Sequence, residues 1–353
     1  MLARGLQTRM KLEMAVVSDA TTRIRNITDL ARLAGVSPGT VSRALADKTL
    51  VNRETRERIQ ALAAEHGFRP NQMASRLRTR RTGVVGVVVP LGHERRQHLS
   101  DPFFMTLLSH LADELTESGH DLMLSRVIPD ADDWLDRVVG SGMLDGVLVI
   151  GQSDQFDAIE RVAESYRPLV VWGSHMPGQR HCAVGVDNRL GGRLVGERLI
   201  GRGCRRIAYL GEIRTLELRE RHAGLCEAVA AAGLPQPLQL DTHLASELMS
   251  GEIAAHLDRM GDSIDGIAAA SDVIAMHTLR LLADRGIAVP GTVPVTGFDD
   301  LPLAKQTVPR ITTIRQDLVT GAKAMVTALY ARMAGQDVPS VEMIPSLIER
   351  DSA

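Results

Sequence analysis

Two rhythms of apolar residues divide the chain near residue 82. Before it, apolar positions recur at three and four residues in short stretches; after it, brief apolar runs alternate with longer amphipathic ones. Residues 27–46 read ITDLARLAGVSPGTVSRALA. Thr28 is placed to cap a helix with Leu30, Leu33 and Ala34 on one face, and Gly35 ends it because glycine adopts a left-handed backbone cheaply. Ser37 caps a second helix, with Pro38 just inside it where the missing N–H costs nothing, and Val41, Ala44 and Leu45 turn inward. A third helix runs from Asn52 through Ile59, Leu62 and Ala63 to Gly67, completing a small core.

From residue 83 the runs at 83–90 (GVVGVVVP), 121–127, 145–151 and 168–172 read as strands buried on both faces, with helices at 103–118, 130–141 and 154–165 between them. After Asp187 the alternation restarts, with strands at 206–211, 237–240, 265–270 and 293–298 and helices at 188–202, 217–232, 245–259 and 272–285. A last helix at 316–334 precedes a strand candidate at 341–350. The pattern predicts an α/β core of two successive doubly wound parallel-sheet lobes with a cleft between them. In such sheets ligands sit beyond the carboxyl ends of the strands, which points to Gln152, Trp172, Arg219, Arg221, Ser271, Asp272, Asp299 and Asp300. Carboxylates facing arginines suit hydroxyl-rich ligands, and an indole face suits the apolar side of a sugar ring. A structural alternative stands beside each: Arg221 and Asp299 as a bridge between lobes, Trp172 as core.

Charge separates the two parts further. Residues 26–81 hold eleven Lys and Arg against five Asp and Glu, a net of +6, and residues 1–25 hold five against two, so residues 82–353 carry −11 in a chain of net −2. The basic end suits a polyanion. On the second helix Gly39, Thr40, Ser42 and Arg43 remain to meet phosphates and base edges, and Arg43, able to grip guanine bidentately, is the first candidate for readout. The strip NQMASRLRTRRTG at 71–83 crowds Arg76, Arg78, Arg80 and Arg81 around Met73, Ala74 and Leu77, suited to phosphates and to wedging between bases in a minor groove.

Other classes find little support. There is no GxGxxG after the first strand, no HExxH and no GxSxG, and GGRLVG at 191–196 is a lone glycine cluster within a helix, so no enzyme is expected. Cys182, Cys204 and Cys226 are too far apart for a disulfide framework or zinc site, and neither metal nor cofactor is expected. No apolar run reaches the roughly 18 residues of a membrane span, and the short run at 14–17 is no signal-peptide core, which suggests a cytoplasmic, nucleoid-associated protein. Residues 1–25 lack periodicity and read as a flexible leader, with Met10 and Met14 as alternative starts.

ITDLARLAGVSPGTVSRAL, VNRETRERI, FRPNQMASRLRT, DPFF at 101–104, RHAG at 221–224, ASDVIAM at 270–276, VTGFDD at 295–300 and ITTIRQD at 311–317 together resemble the lactose-repressor/galactose-repressor (LacI/GalR) family of transcriptional regulators. The resemblance implies a helix-turn-helix headpiece at 26–70, a hinge at 71–82 and a periplasmic-binding-protein-like core at 83–353. Lobe 1 would comprise about 83–186 and 315–341, and lobe 2 about 187–314 and 342–353. It further implies a homodimer on a near-palindromic DNA operator, without a C-terminal coiled coil for tetramers. Thr28, Ser37, Pro38, Gly39, Thr40, Ser42 and Arg43 would face DNA, Leu77 would be the intercalating wedge, and Asn71, Met73, Ala74 and Arg76 would line the DNA or the hinge pair. Gln152, Trp172, Arg221, Ser271 and Asp299 would line the effector site. Ser271 stands where an asparagine is common, and Gly173 where some sugar-binding members carry a carboxylate. The expected activity is repression of carbohydrate-utilisation genes, relieved by a sugar or oligosaccharide. The alternatives are a corepressor-dependent repressor or an activator with a non-sugar ligand, or a sugar-binding protein without DNA function.

Overall fold

A computed structural model describes residues 24, 26–45, 50–68, 81–91, 97–152, 154–244 and 246–353. Asn71, Met73, Ala74, Arg76 and Leu77, and nearly all of the expected leader and hinge, lie outside the described residues. The chain separates into two compact units, residues 1–82 and 83–353.

In the first unit, helices α1 (Ile27–Ala34), α2 (Pro38–Leu45) and α3 (Arg53–Glu65) pack Leu30, Ala31, Ala34, Val41, Ala44, Val51, Ile59 and Ala63 into one core. The cap of α1 is Asn26 and not Thr28: its Oδ1 accepts from the Thr28 and Asp29 amides at 2.9 and 3.0 Å, because the helix starts at Ile27 and the cap precedes it. Gly35 ends α1 at φ +64°, and the Val36 amide closes back on the Ala31 carbonyl at 3.0 Å. Leu33 does not join the core. At about 100° per residue it falls roughly 60° outside the arc of Leu30, Ala31 and Ala34, and it is 51 % exposed. Ser37 and Asn52 cap α2 and α3, accepting from the Thr40 and Thr55 amides at 3.1 and 2.8 Å.

The second unit is built on parallel βαβ crossovers. Its elements run β1 (Val84–Pro90), α4 (Pro102–Glu117), β2 (Asp121–Val127), α5 (Trp134–Val139), β3 (Gly146–Ile150), α6 (Phe156–Ala163), β4 (Leu169–Trp172), β5 (Cys182–Val186), α7 (Asn188–Gly201), β6 (Ile207–Leu210), α8 (Leu216–Ala231), β7 (Leu238–Leu240), α9 (Ser246–Met260), β8 (Gly266–Ala269), α10 (Asp272–Asp284), β9 (Val295–Asp299), β10 (Thr312–Arg315), α11 (Leu318–Met333), β11 (Val341–Met343) and β12 (Ser346–Ile348). Among the described residues one sheet is ordered β11-β5-β4-β3-β1-β2 and the other β12-β10-β9-β8-β6-β7, the same topology twice. All ladders are parallel except β10 with β12. The central strands β1, β3, β4, β6, β8 and β9 are almost wholly buried, as helices on both faces require.

Two strands escaped the apolar pattern, β5 and β10, whose Cys, Gly, Thr and Arg dilute the run. The stretch 341–350 is not one strand. It breaks at Ile344 and Pro345, sending β11 into the first sheet and β12 into the second. The chain therefore passes between the lobes three times, after β5, after β10 and after β11.

Candidate functional site

Carboxyl ends of strands from both sheets meet at a cavity of about 110 Å³. From the first lobe come Gln97, Asp101, Phe103, Phe104, Ile150, Gly151 and Trp172; from the second come Thr215, Glu217, Leu218, Arg221, Leu244, Ser271, Val273 and Asp299. The walls are mainly apolar, with a few polar groups converging on them, as in small-molecule sites.

Arg221 projects from the second turn of α8. Its Nε donates to Asn188 Oδ1 at 2.8 Å, Nη1 donates to the Ala270 carbonyl at 2.7 Å, and Nη1 lies 3.6 Å from Asp299 Oδ1. The guanidinium carbon sits 3.7 Å above the Phe298 ring centre. Asp299 ends β9 at φ +118°, a left-handed backbone that a non-glycine residue holds only under surrounding constraint. Gln316 Nε2 donates to its Oδ1 at 2.6 Å. Burial pushes the Asp299 carboxyl up, against the lowering influence of Arg221 and Gln316, and Asp101 adds to the rise. Ser271 caps α10, accepting from the Ile274 amide at 3.3 Å. Next to it Asp272 is fully buried: Oδ1 accepts from the Thr313 hydroxyl at 2.5 Å and Oδ2 from the Leu301 amide at 2.8 Å. Burial first, and Asp299 second, raise the Asp272 carboxyl well above its ordinary range.

Arg221, Ser271, Asp299 and Trp172 thus line one cavity, whereas Gln152 does not. Gly151, at φ +83°, turns the chain so that Gln152 folds beneath the wall, where its Nε2 donates to the Ser174 carbonyl at 2.6 Å and lies 3.5 Å from Glu217 Oε1. Trp172 is the last residue of β4 rather than a residue beyond it, and it is 3 % exposed. Its ring is wedged against Gly321 of α11, where a Cβ would come within 2.3 Å, and its centre is 6.3 Å from that of Phe103. It is a fixed wall with little open face. Arg219 is exposed away from the cavity, and Asp300 is taken by ion pairs with Arg315 and Arg350.

Sequence reasoning missed Gln97, Asp101 and Glu217. Asp101 caps α4, its Oδ1 accepting from the Phe103 amide at 2.9 Å and its Oδ2 from Gln97 Nε2 at 3.0 Å; burial raises its carboxyl. The DPFF motif held the signal, since an aspartate before proline at a helix start marks both a cap and a strand-end loop. Glu217 enters because residue 173 is glycine. A Cβ there would lie 2.5 Å from Gln152 Nε2 and 2.8 Å from Glu217 Oε1, so the space is given to a carboxylate from α8.

On the first unit, α2 turns Ser37, Pro38 and Arg43 outward, with Gly39, Thr40 and Ser42 half-buried, and Thr28 is exposed on α1. The Ser37 and Thr40 hydroxyls lie 2.9 Å apart, and the Arg43 guanidinium folds over Gly39, where an added Cβ would be 3.7 Å from Nη1. Small residues at 37–40 and a guanidinium at 43 form an exposed surface suited to the edges of bases and to phosphates. Among the described residues no helix is long and apolar enough to cross a membrane, and no group of three or more His, Cys, Asp or Glu is placed to hold a metal ion.

Residues 26–71 match the family described as bacterial regulatory proteins, lacI family, and residues 197–353 match a periplasmic binding protein-like domain. The chain is 31 % identical over 322 residues to the HTH-type transcriptional regulator CelR of Thermobifida fusca, covering 89 % of this chain and 94 % of the relative. It is 30 % identical over 339 residues to the regulator RegA of Clostridium saccharobutylicum, covering 93 % and 98 %. Among solved structures, a CelR–cellobiose complex superposes with a TM-score of 0.65 at 29 % identity, covering 93 % of this chain and all of that one. A lac repressor dimer bound to operator and the anti-inducer ONPF superposes at 0.80 with 23 % identity, covering 93 % and 98 %, a likeness of fold. With a helix-turn-helix unit, a two-lobed cavity-bearing core and these relatives over nearly its whole length, the chain belongs to the LacI family of bacterial transcriptional regulators.

Proposed function

We propose that this regulator is a homodimeric repressor that holds a near-palindromic operator and lets go when a small saccharide occupies the cavity between its lobes. The observation that carries this reading is the cavity itself, with Arg221 and Asp299 facing apolar walls in a chain that also bears a helix-turn-helix unit whose second helix exposes Ser37, Pro38 and Arg43. Hydroxyl-rich ligands match that mixture, and CelR's structure with cellobiose makes cellobiose the first probe. In this reading residues 71–82 are the hinge, Leu77 its minor-groove wedge, and Asn71, Met73, Ala74 and Arg76 the residues beside it. Arg43 and Thr40 carry more of the base readout than Pro38 and Gly39, which offer few donors. The protein works in the cytoplasm, performs no catalysis and needs no cofactor.

Ligand and operator compete through linkage: a saccharide that prefers one arrangement of the lobes weakens the operator by the same factor by which the operator weakens it, typically 5- to 150-fold, about 1 to 3 kcal/mol. The test is selection of a binding site from genomic fragments by the full chain, followed by release with cellobiose and other saccharides. Arg221→Ala and Asp299→Ala are expected to leave a complex that sugar no longer releases. Undiminished release in either variant removes that residue from the site, and binding to random fragments as tight as to any selected one overturns the reading.

A further inference from the structure

Helix α11 spans the first lobe from the cavity to the place where the core begins. The chain reaches it from the second lobe, where Gln316 donates from Nε2 to Asp299 Oδ1 at 2.6 Å and Asp317, at φ +46°, caps the helix by accepting from the Thr320 amide at 3.1 Å. A ligand hydroxyl that donates to Asp299 draws on the oxygen that Gln316 uses, so occupancy bears directly on the start of α11. The helix is 16 residues, about 24 Å, and is gripped at both ends by contacts without slack. Near its start Gly321 lies against Trp172, a wall of the cavity; near its end Leu329 lies against Gly146 at the start of β3, where a Cβ would come within 3.0 Å. A shift of α11 therefore moves the start of β3 with it.

The residue after Leu329 meets a polar cluster. The Tyr330 hydroxyl and His120 Nδ1 share a hydrogen bond of 2.8 Å, with ring centres 5.0 Å apart. His120 Nε2 lies 3.8 Å from Asp145 Oδ2, and the same oxygen accepts from the Gly83 amide at 2.8 Å. Gly83, at φ +67°, is the first residue of the core unit, and its carbonyl accepts from the Asp121 amide at 2.8 Å. The cluster is unfinished. At 3.8 Å His120 is short of a hydrogen bond to Asp145. The buried Tyr166 hydroxyl beside it has no acceptor, and burial first, the Asp145 charge second, push its pKa up to about 12. Bonds left unmade in a buried polar cluster mark a second arrangement nearby in which they form, and Tyr330 is placed to turn the His120 ring between the two.

We propose that α11 carries the state of the cavity to Gly83, the attachment point of the DNA-binding unit, with Gln316 as its contact at the ligand and Tyr330, His120 and Asp145 as its contact at the junction. This rests on the saccharide reading above and gives it a route. Neither Tyr330 nor His120 lines the cavity, so both are positioning residues whose work is the coupling of the two bound states.

The experiment measures, for the full-length protein, the ratio of operator dissociation constants with and without saturating cellobiose. Tyr330→Phe keeps the ring against His120 and loses the hydroxyl. It is expected to bring that ratio down several-fold toward one, while cellobiose binding by the free protein and operator binding without sugar stay within about twofold of the parent. His120→Phe should do the same, and the double variant should fall no further than either single one, as members of one relay do. Thr327→Ala, exposed on the same helix, should keep the parent ratio, and thermal melting checks that each variant is folded. An unchanged ratio in folded Tyr330→Phe and His120→Phe, or an equal fall in Thr327→Ala, overturns the inference while leaving a sugar-responsive regulator. If no saccharide loosens the operator complex of the parent protein, the saccharide reading falls and takes this inference with it.

Discussion

Asp272 illustrates how one buried carboxylate holds the site in place. Its two oxygens tie the Thr313 hydroxyl of β10 to the Leu301 amide beyond β9, fixing the turn that carries Asp299. Residue 297 must be glycine for this, since a Cβ there would come within 2.3 Å of Asp272 Oδ1. Because burial raises the Asp272 carboxyl, the folded chain binds its proton more tightly than the unfolded chain does. Its contribution is therefore fully present below the ordinary carboxylate range and is lost as pH rises from there through the raised value. His181, His222 and His277, lowered by burial, act in the opposite sense near their ordinary range, so a difference between proteins is the cleaner measure. Asp272→Asn, which can accept from Leu301 and donate to the Thr313 oxygen, is expected to lose less stability than the parent as pH rises above the ordinary carboxylate range, as followed by urea denaturation. Parallel pH curves for the two proteins would show that this carboxyl does not titrate with folding. On α2, Arg43→Ala is expected to relax preference at one base position of each half-site by about 1 to 3 kcal/mol, read by repeating the site selection; an unaltered preference assigns readout elsewhere. Residues at the site were legible in the sequence where a helix cap or charged strand end announced them, as with Ser271, Arg221 and Asp299. Gln152 was not, because a strand's end does not disclose which way the next side chain turns, and Gly151 bends the chain after β3.

Helix α7 packs on α8 closely enough that backbone meets backbone. A Cβ on Gly192 would lie 1.9 Å from the Arg221 carbonyl oxygen, and one on Gly224 the same distance from that of Arg189; Gly196 similarly leaves room for Ala228 and Leu225. The glycine cluster at 191–196, without meaning as a sequence motif, is thus the seat that sets the depth of Arg221 in the cavity. Its significance escaped the sequence because the partners of Gly192 and Gly196 lie some thirty residues away on another helix, whereas the periodicity that marks a helix is local. The same reasoning explains the short strands. The runs feeding β1, β3 and β8 are continuous and visible, while β5 and β10 are specified by neighbours in the sheet more than by their own letters. Gly192→Ala or Gly224→Ala is expected to push the helices apart and destabilise the core by about 1 to 3 kcal/mol, as overpacking does. The displacement should also weaken saccharide binding, because the bonds of Arg221 to Asn188 and Ala270 depend on that approach. Denaturation midpoints and sugar titrations of the variants check both effects. Unchanged stability together with unchanged affinity would show that the interface yields at no cost and that the glycines do not set the position of Arg221.

At the scale of the whole molecule, the chain's order in space differs from its order in sequence in a way that binds the two lobes into one folding unit. The first sheet is incomplete without β11, which follows every strand of the second sheet but β12, and the second is closed by β12 from the last residues of the chain. Three passages between the lobes mean that neither sheet can form from a contiguous segment. The three-helix unit is different: Leu30, Val41 and Ile59 make a cluster of their own from residues within 24–68. Cooperativity should follow these boundaries. A fragment of residues 83–353 is expected to fold alone, to melt in a single calorimetric transition near the main transition of the full chain, and to bind cellobiose with the affinity of the full chain. Both lobes line the cavity, so a ligand at 100 times its dissociation constant should stabilise that transition by about 2.7 kcal/mol, raising its midpoint by about 5 °C for a core of this size. Two separate transitions within the fragment would show that the lobes fold independently despite their shared chain. A midpoint raised by sugar in the full chain alone would place part of the ligand site outside residues 83–353.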